Sequence, residues 1–280
     1  LPAHEQGAFH LPSTADIPLS PGRWQIDVGQ FDVGTDDNAD PVVVGHAGAA
    51  RVLVLLKTSA PPPAAARLAI HLTGGGGLTT STARASSAFV TAVERVQAIY
   101  AAAGIDLGDG LDDVDLVDVA DGAALQTIVL DLPRCDGPEL DDVAARGRAD
   151  RLNIVIVDRF ECGAVGPFLL GLAAGLPLMP WAGGSARSAV VVAGSFFVDE
   201  PDTLAIVMAH ELGHGLGLYH AQENDRFGAD LFDVIADTVD DDDSARANLM
   251  YFDVSRMTAT SLSPGQAATI VRGPAIGGAP

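Results

Sequence analysis

The stretch His210-Glu211-Leu212-Gly213-His214-Gly215-Leu216-Gly217-Leu218-Tyr219-His220 decides how this chain is read. Pro201 and Asp202 lie just upstream. Proline is tolerated where a helix begins, and an acid there meets the positive end of the helix dipole, so a helix is expected from near Asp202 to about Leu216. On it His210 and His214, four apart, share one face, and each imidazole can offer a nitrogen to a single zinc ion at about 2.0 to 2.1 Å. Glu211 is one step round from His210, where it reaches a water beside the metal rather than the metal itself. That is the position a general base requires. A third ligand cannot come from the next helical turn with a tetrahedral approach, so the chain has to change direction after His214. Gly217 supplies the break, because glycine accepts a positive φ without a Cβ clash, and His220 then arrives from another side. Three histidines leave one position open, as in catalytic rather than structural zinc sites.

Five fixed positions in HExxHxxGxxH make an accidental match far less credible than HExxH alone, which ordinary helices with two surface histidines also carry. His4, His10, His46 and His71 have no ligand spacing and are read as surface or satisfied core residues.

Working outward, Ser263-Pro264-Gly265-Gln266 forms a capping box for a C-terminal helix to about Val271. Upstream, Leu68–Leu72, Ala124–Leu130, Leu152–Val157 and Ser188–Ala193 are rich in branched residues and bounded by turn signals, hence strands. Ser87–Ala103 reads as an amphipathic helix that buries Phe89, Val93, Val96 and Tyr100, capped by Ser86 or Ser87 and ended by Gly104. Glycines 74–77 read as a flexible loop, and Phe168–Trp181, broken by prolines and glycines, as a loop packed on the body. Strands interleaved with helices indicate an α/β or α+β sheet. Trp24–Val28, Pro41–Val44 and Arg51–Leu56 suggest a β-rich segment over residues 1–62, closed by Pro61-Pro62-Pro63, with the main domain over 63–280.

A formal net charge of -21 over 280 residues excludes the basic patch that a nucleic-acid partner requires, and disfavours an anionic membrane surface. No apolar run is long and unbroken enough for membrane insertion. The first ten residues carry charge and no apolar signal core, so a mature or processed product is expected. Cys135 and Cys162 are the only cysteines, they flank a predicted strand, and a disulfide between them suits an oxidising compartment. Acidic clusters at Asp32–Asp40, Asp106–Asp121 and Asp237–Asp243 could offer oxygens to calcium, yet none matches an EF-hand loop and each is read as a solvated loop. Nothing in the sequence sets an oligomeric state.

The extended histidine motif, followed by Asn248-Leu249-Met250-Tyr251-Phe252, resembles the metzincin clan of zinc metallopeptidases, whose signature places a methionine turn under the metal. The resemblance implies an α+β catalytic domain with a mixed twisted sheet, a zinc helix and a C-terminal helix, with Met250 as an apolar floor that does not bind zinc. Leu152–Val157, and the pairing of Asn248-Leu249-Met250 with Leu262-Ser263-Pro264-Gly265-Gln266, look most similar to pappalysin-like members. Where astacins and serralysins have a tyrosine two residues after the methionine, this chain has Phe252, which leaves oxyanion stabilisation mainly to the metal. Pro133-Arg134-Cys135-Asp136-Gly137-Pro138 is similar to the cysteine switch of matrixin propeptides, but it follows the first helix of the domain and has Cys162 as a candidate partner, so the disulfide is preferred.

The function implied is that of a secreted zinc endopeptidase acting on protein or peptide substrates, with Glu211 as general base. An extended peptide is expected along an edge strand at Ser188–Val192, beneath a roof made by residues 163–185, with a pocket wall from the segment between His220 and Met250. The alternatives are a zymogen covered by residues 1–60 and a non-catalytic zinc-containing binding or adhesion protein. Intact Glu211 and three intact histidines count against the second.

Overall fold

The computed structural model of the chain describes residues 30–35 and 41–46 and, from 64 onward, all except 132–136, 164–168, 180–182, 195–199, 225–229, 234, 239–245, 254–258, 274 and 278–280. Gln30–Thr35 (β1) and Pro41–His46 (β2) pair antiparallel, with Gln30 opposite His46, in a unit spanning Leu19–Leu56. The strand expected at Pro41–Val44 is present and Gln30–Thr35 is an addition. Trp24–Val28 and Arg51–Leu56 lie outside the described residues.

In the other unit the chain runs through β3 (Ala64–Ala65), β4 (Leu68–Leu72), α1 (Thr80–Ala85), α2 (Ser87–Ala102), β5 (Ile105–Asp106), β6 (Asp115–Asp118), β7 (Thr127–Val129) and α3 (Pro138–Ala144). It continues through β8 (Leu152–Val157), β9 (Arg159–Glu161), β10 (Gly171–Ala173), β11 (Ala189–Ala193), α4 (Pro201–Gly215), β12 (Gln222–Asn224), β13 (Asp230–Phe232) and α5 (Pro264–Arg272).

Leu-Asn-Ile-Val-Ile-Val in β8 is apolar on both faces but for Asn153, and such a strand is stable only when both faces are covered. It is the middle strand of a five-stranded sheet ordered β10-β11-β8-β4-β6. β11, β8, β4 and β6 are parallel and β10 is antiparallel to β11, so the sheet is mixed. Period-two alternation divides the buried side chains. Leu152, Ile154, Ile156, Val190 and Val192 face the larger core with α2 and α4, while Val155, Val157, Val191 and Ala193 face a smaller core with α3 and Phe160 of β9.

The face expected of α2 is the one observed, with Phe89, Val93, Val96 and Tyr100 each at most 1% exposed. Burying such side chains stabilises the fold by about 1.5–3 kcal/mol apiece. Ser86 caps the helix, its Oγ accepting from the Phe89 N–H at 3.2 Å, and Gly104 follows its end at φ 77°. α4 is buried almost all round from Thr203 to Gly213, as a helix crossing a core must be.

Three expectations are corrected. Ala124–Leu130 holds a strand only at Thr127–Val129, because Gly122–Leu125 winds into a 3-10 turn. Glycines 74–77 are also ordered as a 3-10 turn at Gly75–Gly77, packed so closely that a Cβ on Gly75 would lie 2.7 Å from the Asp158 nitrogen. Ser188–Val192 is no edge, since β11 is hydrogen-bonded on both sides, and among the described residues the sheet ends at β6 and at β10, the latter within the stretch expected as a loop.

Cys162 is wholly buried in the smaller core and is not a free thiol, while Cys135 lies outside the described residues. The Asp106 and Asp113 carboxylates accept from the N–H groups of Gly108 and Asp109, both at 2.8 Å, and so hold their own loop together. No helix among the described residues is long and apolar enough to cross a membrane.

His71 on β4 is a satisfied core histidine, 2% exposed, with its Nε2 3.1 Å from Asn153 Oδ1. The Asn153 amide also donates to the carbonyls of Arg148, Arg151 and Ser188, all at 2.9 Å. Burial holds the His71 pKa below 6.5 against the opposing bond to Asn153, with Arg148 lowering and Asp115 raising it. The unfolded chain therefore takes up this proton first. The stability His71 contributes is complete above about pH 6.5 and is lost as pH falls below it. His71→Gln keeps a donor for Asn153 but does not titrate, so its thermal midpoint should fall less than wild type's between about pH 7.5 and 5.5. Equal falls would exclude a contribution from His71.

Candidate metal centre

Helix α4 carries His210 and His214 on one face, as the four-residue spacing requires. The helix ends in a Schellman motif: Leu218 N–H donates to the Gly213 carbonyl at 2.9 Å and Gly217 N–H to the His214 carbonyl at 2.8 Å. Gly217 takes φ 98°, the left-handed geometry that its place in the sequence implied. The turn delivers His220 to the other two histidines. Its Nε2 lies 3.2 Å from that of His210 and 3.1 Å from that of His214.

Those separations fit one ion. A tetrahedral site with arms of about 2.0–2.1 Å has edges of about 3.3 Å, and all three candidate ligand atoms lie within 4.8 Å of one another. Two of the far ring nitrogens are also engaged. His210 Nδ1 donates to the Leu249 carbonyl at 2.7 Å and His214 Nδ1 to the Leu218 carbonyl at 2.8 Å. A proton held on Nδ1 leaves the Nε2 lone pair free for a cation, so the donor set suits Zn²⁺. Burial, reinforced by the nearby His214 charge, holds the His210 pKa well below 6.5 and favours the neutral ligand form that a metal needs.

Glu211 is 6% exposed, and burial pushes its carboxyl pKa up to about 8, opposed by a hydrogen bond from the Ala173 backbone. β10 thus borders the candidate base directly. Beyond it the chain turns back so that the Leu178 N–H donates to the Gly215 carbonyl at 2.8 Å, placing part of the expected roof against the end of α4. Tyr100 of α2 buttresses the same helix, its hydroxyl donating to the Ala209 carbonyl at 2.8 Å. Burial raises the Tyr100 pKa well above the usual phenol range, and the Glu211 charge adds to this.

Met250 is fully buried against α4, and a Cβ placed on Gly213 would come within 2.4 Å of its Sδ. The turn that carries it is tied to α5. Met250 N–H donates to Asn248 Oδ1 at 2.8 Å, and the amides of Asn248 and Gln266 exchange two bonds, at 2.9 and 3.1 Å. Gln266 also completes the capping box expected at Ser263. Asp237 adds a second cap to that helix by accepting from Ser263 Oγ and Gly265 N–H. Sequence reasoning placed Gln266 in a cap but did not see it as a support of the turn that carries Met250. It missed Tyr100, Ala173 and Gly171 near the site altogether.

No family model and no curated protein matches the chain. Among solved structures, archaemetzincin from Methanopyrus kandleri is similar at 13% identity over 76% of this chain and 97% of that one, with a TM-score of 0.40. Metalloproteinase-II from Bacteroides fragilis is similar at 14% identity over 77% of this chain and 54% of that one, with a TM-score of 0.39.

Proposed function

We propose that this chain is a zinc-dependent endopeptidase of metzincin type, with His210, His214 and His220 as ligands, Glu211 as general base and Met250 as the apolar floor of the site. The observation that carries the proposal is the convergence of three Nε2 atoms at 3.1–3.2 Å contacts, with a buried carboxyl on the adjoining helix position. Bound zinc would supply Lewis-acid polarisation of the peptide carbonyl and a more acidic water. Glu211 takes the proton from the attacking water and passes it to the leaving amine, a role that suits a carboxylate made more basic by burial. The edge of β10 away from β11, apart from the Ala173 backbone group that bonds Glu211, would offer backbone groups to an extended peptide, which would pair with it and lie alongside α4. This edge replaces Ser188–Val192 in the substrate reading.

The same proposal includes a Cys135–Cys162 disulfide, export from the cell, a pappalysin-like affinity within the clan, and residues 1–62 as a β-rich segment separate from the catalytic domain. A mixed peptide library incubated with the purified chain tests the activity, with metal content measured and a chelated sample run alongside. Internal cleavage that requires about one zinc per chain is expected. A chain that holds one zinc and cleaves nothing would favour the zymogen or binding-protein alternative.

A further inference from the structure

The side of β10 that faces α4 carries the two smallest residues of the strand. Ala173 packs against the larger core, whereas Leu172 between Gly171 and Ala173 packs against the smaller one, as alternation along a strand dictates. Gly171 is thereby aimed at α4. A Cβ built on it would lie 2.4 Å from Glu211 Cγ, 2.6 Å from Oε1 and 2.7 Å from Cδ, and these are its three nearest atoms. Real Cβ contacts are not that short, so the volume a side chain at 171 would fill is the volume Glu211 occupies. Two residues along, the Ala173 backbone hydrogen-bonds the same carboxyl. Close approach at one end of the strand and a hydrogen bond at the other thus both bear on the Glu211 carboxyl.

We infer that Gly171 is a positioning residue for Glu211: the bare backbone of β10 at 171, together with the Ala173 backbone, sets where the base points. The position is glycine for want of space and not for backbone conformation, since Gly171 is not among the positive-φ glycines. The catalytic half of this inference rests on the peptidase reading, whereas the contact itself does not.

A double-mutant cycle tests both halves. Gly171→Ala is made in the wild-type, Glu211→Gln and Glu211→Ala backgrounds, and metal content, thermal midpoint, kcat and KM are measured on the full chain. In the wild-type and Glu211→Gln backgrounds the added methyl should lower the midpoint by about 2–12 °C, the range for overpacking by one carbon in a domain of this size. In the Glu211→Ala background, where the crowded atoms are gone, that loss should vanish. With Glu211 present, Gly171→Ala should keep about one zinc per chain and lower kcat about 100-fold with little change in KM, the effect of a base misplaced by about 1 Å.

An equal loss of midpoint in all three backgrounds would overturn the inference, because the methyl would then be meeting something other than Glu211. Wild-type kcat in Gly171→Ala would overturn it as well. Should Gly171→Ala fail to fold, a folded Gly171→Ala/Glu211→Ala double variant supports the contact and an unfolded one refutes it. A wild-type chain without cleavage sinks the peptidase reading alone, and the midpoints still decide whether 171 and 211 compete for one space.

Discussion

Glu211→Gln is expected to keep its metal and its fold while kcat/KM falls about 10²- to 10⁴-fold, the usual contribution of a positioned general base and equivalent to roughly 3–5 kcal/mol of transition-state stabilisation. The amide has the shape of the carboxyl it replaces and can still accept the bond from Ala173, so nothing around it needs to move. Burial already disfavours the charged carboxylate here, so its neutral counterpart should leave the thermal midpoint unchanged or slightly raised. Activity and stability should therefore part company, a pattern that a purely structural glutamate would not give. Activity within about threefold of wild type would remove Glu211 from the chemistry, whatever its geometry suggests.

Metal removal should have the largest effect on the molecule as a whole. Chelation is expected to abolish cleavage and lower the thermal midpoint by about 8–16 °C, taking the roughly 4 kcal/mol that a ligand at a thousand times its Kd contributes. One equivalent of zinc should restore both. The ligands should not behave alike when truncated. Each truncation deprives a buried carbonyl of its donor, Leu218 for His214→Ala and Leu249 for His210→Ala, but His214 is only half-buried whereas His210 is 2% exposed. Deleting a buried side chain leaves a cavity that a half-buried one does not, so His210→Ala should lower the midpoint of the metal-free protein further than His214→Ala does. Equal midpoints in the two metal-free variants would mean that the deeper burial of His210 adds nothing to the fold.

Much of the site was legible because local chemistry fixed it. Histidines at four-residue spacing can hardly avoid sharing a helix face, and Gly217 is where a helix ending in a left-handed residue would place its glycine. The bounds of Leu152–Val157 and the box at Ser263–Gln266 were readable for similar reasons, since apolar runs and capping side chains act within a few residues of themselves. What escaped was set by distant neighbours. Ser188–Ala193 has the composition of a strand, but no local feature says whether a strand is flanked on one side or two. Gly171–Ala173 is too short and too poor in branched residues to announce itself among the glycines and prolines of its stretch; it becomes a strand because β11 pairs with it. Gln266 stands 18 residues from Asn248, and only the fold lets one amide serve both as a cap and as a tether.

That tether sets an order of events. His210 and His214 leave the ribosome first, yet the carbonyl that holds the His210 ring belongs to Leu249, and the turn around Leu249 is clamped from Gln266. A nascent chain stopped between residues 221 and 265 carries all three histidines and Glu211 but lacks the Gln266 clamp on the turn that holds the His210 ring. If the proposed function holds, the alignment of base and ligands is thus completed only once the C-terminal helix has been made.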